Sequence, residues 1–291
     1  MPIATPSEST SRQLLLKALA AYPQAWTPFM IYGLGHAVLG LGVPLAAQLL
    51  VSNLAFAGLG SGLLSLGALI GAGLAFFQIF RLGQLYLLEY AERRFITQHL
   101  PRLWDARGSD RAYFFELALI PKVFGKWALE GFEIVLTLVV GSVALTVYHP
   151  LYLSIVAAVW ASLWAVLLLG SRGLETALEE STRKYETWER YAAGERPEAR
   201  EWLFGRERHF QVLRRQIVLL MVSQVVGALA LLLGGAWLFS QGELSLGQFV
   251  ASELIGGGVF LSLGKLAKFM ETHYSLLTSL VKLEHAQARR G

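Results

Sequence analysis

The stretch Leu151-Tyr-Leu-Ser-Ile-Val-Ala-Ala-Val-Trp-Ala-Ser-Leu-Trp-Ala-Val-Leu-Leu-Leu-Gly170 carries no charged side chain. As a helix rising about 1.5 Å per residue it is ~30 Å long, the thickness of a bilayer's hydrocarbon core. One end meets His149-Pro150, nearly a direct turn, and the other runs into Arg172 and a long charged segment. Backbone groups in lipid must be satisfied internally, so the stretch is predicted to be a membrane-spanning helix.

Five further stretches have the same character: Ala25 to Leu50, Gly62 to Leu88, Lys126 to Tyr148, Gln216 to Phe239 and Leu246 to Leu266. The chain is 54% hydrophobic and 16% charged, against roughly 25% charged in soluble domains. A soluble fold of this length would not need so much apolar surface. All 25 Lys and Arg residues fall on one side of the six-span map. Basic residues of short loops are retained in the cytoplasm, so both termini and the two long loops are assigned there. The opposite connections are short: Val51 to Ser61 has no charge, and Ser240 to Ser245 has only Glu243. The excess of basic residues lies in juxtamembrane loops, where anionic lipid headgroups are the nearer partner than nucleic acid. No cleavable signal is visible: Ser, Thr and Glu, not a basic region, precede the first span.

The long loops, 89–125 and 171–215, mix both signs of charge at helical spacing. Glu179, Arg183, Glu186 and Arg190 form one such stripe. The spans on either side are therefore predicted to continue into the cytoplasm as helical hairpins. Their tips are placed at Pro101 with Arg107-Gly-Ser109, and at Gly194-Glu-Arg-Pro197, because Gly and Pro punctuate helices. Residues 1–23 form a separate N-terminal element: Ser9-Thr-Ser11 can cap an amphipathic helix from Arg12 to Ala21, lying in the membrane interface or against the protein's own cytoplasmic side. Residues 24–291 make the transmembrane domain.

Catalytic and metal motifs are missing. The chain has no cysteine, and its six histidines show no ligand spacing. Gly258 to Lys265 superficially resembles a phosphate-binding loop but has one residue too many, and it lies inside the last span where a strand and a helix are required. Catalytic, cofactor and metal residues are thus expected to be absent. Ionisable groups within spans are the informative class, since burying charge in lipid is costly. Glu253 lies about two turns into the last span. It reads either as a pathway carboxylate meeting substrate or protons, or as a structural carboxyl. His36, in the first span, reads as a bonded structural histidine or a pathway group. Glu130 and Glu133 share a helix face near the inner end, where snorkelling or pairing with Lys126 is expected. Arg81 sits at the same boundary. Gly67 and Gly71 form a small-xxx-small pair that permits close helix packing. Trp26, Tyr148, Tyr152 and Trp202 read as interface anchors.

The order of spans and several local sequences resemble the transmembrane domain of type I ABC exporters. The matching segments are Leu41-Gly-Val-Pro-Leu-Ala-Ala-Gln-Leu-Leu50, Glu89-Tyr-Ala-Glu-Arg-Arg-Phe95, Ala112-Tyr-Phe-Phe-Glu-Leu117, Tyr148-His-Pro150, Gly242-Glu-Leu-Ser-Leu-Gly-Gln-Phe-Val250 and Leu263-Gly-Lys-Leu-Ala-Lys-Phe-Met-Glu271. The resemblance covers about residues 12 to 286. It implies an all-α, six-span, exporter-like fold in a bacterial inner membrane. It also implies a second six-helix subunit, identical or homologous, with the pathway between the two, and a periplasmic adaptor is a possible further partner. Family members usually carry a nucleotide-binding domain on the same chain and have longer hairpins. ATP and Mg are therefore expected on a separate ATPase subunit, and this chain is not expected to be an enzyme. By resemblance the hairpin tips are coupling elements, with Arg102, Trp104 and Asp105 on the first and Glu195, Arg196 and Glu198 on the second. His36 and Glu253 are the candidate pathway residues. Two other functions fit the same fold: a proton-coupled carrier that needs no ATPase, and a membrane scaffold that transports nothing.

Overall fold

The computed structural model describes Gln13 and residues 23–56, 62–104, 111–192, 194–195 and 200–288. These form seven helices: α1 Pro23–Gly40, α2 Gly42–Phe56, α3 Gly62–Trp104, α4 Arg111–Tyr148, α5 Leu151–Ala192, α6 Arg200–Ser240 and α7 Leu246–Ala288. No strand occurs among the described residues. Six segments are long and apolar enough to cross a membrane, and α1 with α2 makes the first of them. The predicted helix over Arg12–Ala21 lies outside the described residues, Gln13 excepted.

The helical hairpins are as expected: α3 to α6 run without interruption from the apolar spans into the charged segments. Helix α3 passes through Pro101 to Trp104, beyond the residue placed at the first tip, and the tip itself lies outside the described residues. Helix α5 ends where expected. Gly194 has φ +85°, its N–H donates to the Tyr191 carbonyl, and the Glu195 N–H donates to Arg190, both at 3.0 Å. That is the Schellman arrangement, which needs a left-handed residue and so favours glycine.

The same device closes α6. Gly242 has φ +77°; its N–H donates to Phe239 and the Glu243 N–H donates to Leu238. Three residues later Ser245 Oγ accepts from the Gln248 N–H (3.2 Å), and the Gln248 carboxamide accepts from the Ser245 N–H (2.9 Å). This reciprocal capping box starts α7. At the neighbouring turn, His149 Nδ1 accepts the Leu151 N–H at 3.1 Å and caps α5.

The main core lies among α4, α5, α6 and α7. Helix α7 packs on α2, α4, α5 and α6. Glycines set the closest approaches: a Cβ at Gly131 would overlap the Phe269 ring, and one at Gly227 the Phe260 ring. Gly67 and Gly71 face open space within the chain, so the expected small-residue packing is made by other glycines. Helix α3 leans on α1 through its middle, with Tyr32 against Phe80 and His36 against Phe77. None of its most apolar window is buried.

A polar network runs through the core. The Gln216 carboxamide, 0% exposed, donates to Tyr274 Oη at 2.9 Å and accepts from it at 3.2 Å. The Trp127 indole donates to His273 Nδ1 at 2.9 Å. Thr176 and His209 share a bond of 3.1 Å. Tyr152 is wholly buried and bonded to Ser252 at 3.1 Å. It is a core residue and not the interface anchor that its place at a span end suggests. Near the charged tip, Arg183 pairs with Glu179 as the stripe anticipates, and Arg206 and Arg208 of α6 cross to Glu180 and Glu179.

Candidate functional site

The first span is broken. Leu41 alone separates α1 from α2, with Gly40 and Gly42 as the flanking helix ends, and Pro44 supplies no N–H to the Gly40 carbonyl one turn earlier. Glycines on both sides of the break weaken the helix further. The break opens onto a cavity of about 190 Å³ bounded by α1, α2, α3, α4 and α7. Gly40, Leu41 and Pro44 lie on its wall. Irregular backbone at membrane depth is tolerated where it is buried in protein or lines a cavity.

The cavity is polar at one end and apolar at the other. His36, Gln84, Glu133 and Thr137 line the end nearer the basic residues. Leu136, Val140, Leu254 and Ile255 carry the wall toward the charge-poor turns. The rings of Phe77 and Phe132 complete the polar end. Gly33 lets α1 come this close: a Cβ there would overlap both the Phe132 ring and the Gln84 amide.

Three helices bring a charge each to this end. Glu133 of α4 is 2.9 Å from Arg81 of α3 and 2.7 Å from Lys265 of α7. At about 1.5 Å per residue, Arg81 lies ~28 Å along α3 from Gly62, Lys265 ~28 Å along α7 from Leu246, and Glu133 ~22 Å from Tyr148. The three meet because they stand at similar depths on neighbouring helices. Lys126 is therefore not the partner of Glu133, contrary to the sequence expectation. Arg81 does more than mark a boundary: it ties α3 to α4. Its Nη1 is buried without a hydrogen-bond partner.

The two candidate pathway residues part company. His36 lines the cavity, stacks on Phe77 with ring centroids 3.8 Å apart, and has Nδ1 3.0 Å from the Phe77 carbonyl. His36 is thus bonded and also lines the cavity. Glu253 is not on the cavity wall, although its neighbour Leu254 is. Its Oε1 is buried without a partner.

Of the tip residues, Glu195 is described and pairs with Arg190 at 2.7 Å. Arg102 and Trp104 lie in the last turns of α3. Asp105, Arg196 and Glu198 fall outside the described residues. Gly258 to Lys265 is continuous helix inside α7, with no phosphate-loop geometry. Among the described residues no group of three His, Cys, Asp or Glu side chains could hold a metal ion.

The charge cluster, Gln84 and the break were missed as a unit by sequence reasoning. The usable signals were the Gly40–Pro44 spacing and the matching depths of Arg81 and Lys265. No family model matches the chain, and no curated protein matches its sequence.

Proposed function

We propose that the chain is the membrane-spanning subunit of a transporter of the ABC-exporter kind. It would work beside a second six-span subunit and be driven by a separate ATPase at the cytoplasmic hairpin tips. The observation that carries this reading is the broken first span opening onto a polar-ended cavity. Discontinuous spans are where transporters build substrate sites, because freed backbone groups become available to a ligand. The resemblance in the hairpins and around Gly242–Val250 supports the choice of family. The exposed apolar face of α3 offers room for a second subunit. In this mechanism, closure of the ATPase pair pushes on the hairpins, and the bundles exchange inward and outward openings as rigid bodies with two discrete packings.

The test is gentle co-purification of the tagged chain from its native membranes, with mass spectrometry of its companions. A stoichiometric ATPase, lost when residues 194–200 are replaced by a Gly-Ser turn, supports the proposal. An intact assembly with no ATPase counts against it.

The unpartnered Glu253 Oε1 favours a second reading, a proton-coupled carrier on the same fold. Transport unchanged in Glu253→Gln would dismiss proton coupling through that carboxyl.

A further inference from the structure

The polar end of the cavity is rich in acceptors. The Phe77 carbonyl can only accept, so the His36 proton sits on Nδ1, and Nε2 of the neutral ring is a lone pair. Gln84 is 2% exposed, and its Nε2 points at the Phe29 carbonyl, 3.4 Å away. That orientation leaves Gln84 Oε1 on the other side, with no donor among the described residues. The Glu133 carboxylate adds oxygens on the same wall. Against these stand the Thr137 hydroxyl and the second Gln84 N–H; the unpartnered Arg81 Nη1 belongs to a residue that is not on the cavity wall.

Charge narrows the ligand. Arg81, Glu133 and Lys265 together carry one net positive charge, so a cation is repelled as it nears the donor-hungry end. An anion is drawn by the net charge but meets lone pairs. An uncharged group that gives a hydrogen bond and can take one from Thr137 satisfies both conditions. Beyond Thr137 the wall is aliphatic, with Val140 of α4 facing Leu254 and Ile255 of α7. The volume is below the roughly 300–1,000 Å³ of drug-sized sites, so the occupant is slender.

We propose that the cavity binds an uncharged amphiphile with a hydroxyl head, the hydroxyl at His36 and Gln84 and the alkyl chain toward Val140 and Ile255. This rests on the cavity being the transport pathway and adds the substrate's chemistry.

The experiment is photolabelling of the purified full chain in detergent with a diazirine-bearing octanol, mapped by mass spectrometry. Adducts are expected on Leu136, Val140, Leu254 or Ile255. Octanol or mono-octanoylglycerol should compete about tenfold better than octanoate or octylammonium; whichever competes better identifies a simple alcohol or a glycerolipid as the source. His36→Phe should cut labelling about fivefold, the order of one lost hydrogen bond. His36→Gln, which keeps an acceptor, should restore most of it and controls for folding. Adducts confined to exposed α6 residues such as Val222 and Leu229 would overturn the proposal. So would equal competition by either charged analogue, or full labelling of His36→Phe. The assay contains no ATPase, so its failure leaves the co-purification result standing, and a missing ATPase leaves the labelling standing.

Discussion

Lys265 of α7 reaches the Glu133 carboxylate of α4 at 2.7 Å, while Arg81 of α3 holds its other oxygen at 2.9 Å. One acidic side chain thus joins three helices. The two cations are unequal: the Lys265 side chain is 60% exposed and that of Arg81 25%. We expect Glu133→Gln to destabilise the bundle by about 1–3 kcal/mol, between the values for surface and buried pairs. Arg81→Ala should cost more than Lys265→Ala, because solvent already screens the lysine. Unfolding in mixed micelles measures all three. Equal losses at Arg81 and Lys265 would contradict the ranking.

The Gln216–Tyr274 pair is fully withdrawn from solvent. Tyr274→Phe removes the hydroxyl and leaves Gln216 Oε1 without its donor, while Nε2 keeps the Val166 carbonyl at 3.5 Å; the cost is about 1–3 kcal/mol. Adding Gln216→Leu removes the stranded group and should recover a large part of that loss. The same unfolding assay applied to the double variant tests it; additive losses would mean that the pair does not act as a unit.

The absence of cysteine gives a clean background for topology. His149→Cys and Glu243→Cys, at turns joined by the 2.7 Å contact of their native side chains, should react with a membrane-impermeant thiol reagent on intact cells. Glu195→Cys at the opposite end should react after permeabilisation only. The reverse pattern would overturn the orientation inferred from basic residues.

Pro44→Ala returns an N–H to the Gly40 carbonyl. Amide exchange over residues 40–45 should slow, and the protein should become more stable, while octanol labelling of the cavity falls. A substitution that stabilises a scaffold while weakening its site is a common trade-off. Faster exchange in that segment would show that Pro44 is not what holds the break open.

Glycine positions supply an internal contrast. Gly131→Ala drives a methyl into the Phe269 ring and should cost about 1–3 kcal/mol. Gly67→Ala meets nothing within the chain and should be near neutral or slightly stabilising, since alanine favours helix. A large loss at Gly67 would place a second subunit against α3.

Spans and hairpins were legible because hydropathy registers span length and mixed charge at helical spacing marks where helix runs on beyond the span. Helix rotation was not. These helices are apolar nearly all round, so the pattern does not say which face meets which neighbour. Glu130 and Glu133 accordingly read as snorkelling or as paired with Lys126, and Tyr152 as an interface anchor. Gly242 to Val250, the segment that most resembles the exporter family, also has a local reason for its residues. Its glycine closes α6, and its Ser and Gln open α7. Part of that resemblance is therefore the chemistry of a tight helix-to-helix turn.

The first and last spans differ mechanically. Helix α7 is an unbroken rod of 43 residues, about 64 Å long. It touches the charge-poor turns, the cavity and the buried histidine–tyrosine network in succession. A tilt of about 5° displaces one of its ends by about 5–6 Å relative to the other over that length. The chain beside it is jointed at Gly40–Gly42. A displacement of the rod's charged end would therefore reach the cavity as a lateral shift against the one wall whose helix is interrupted.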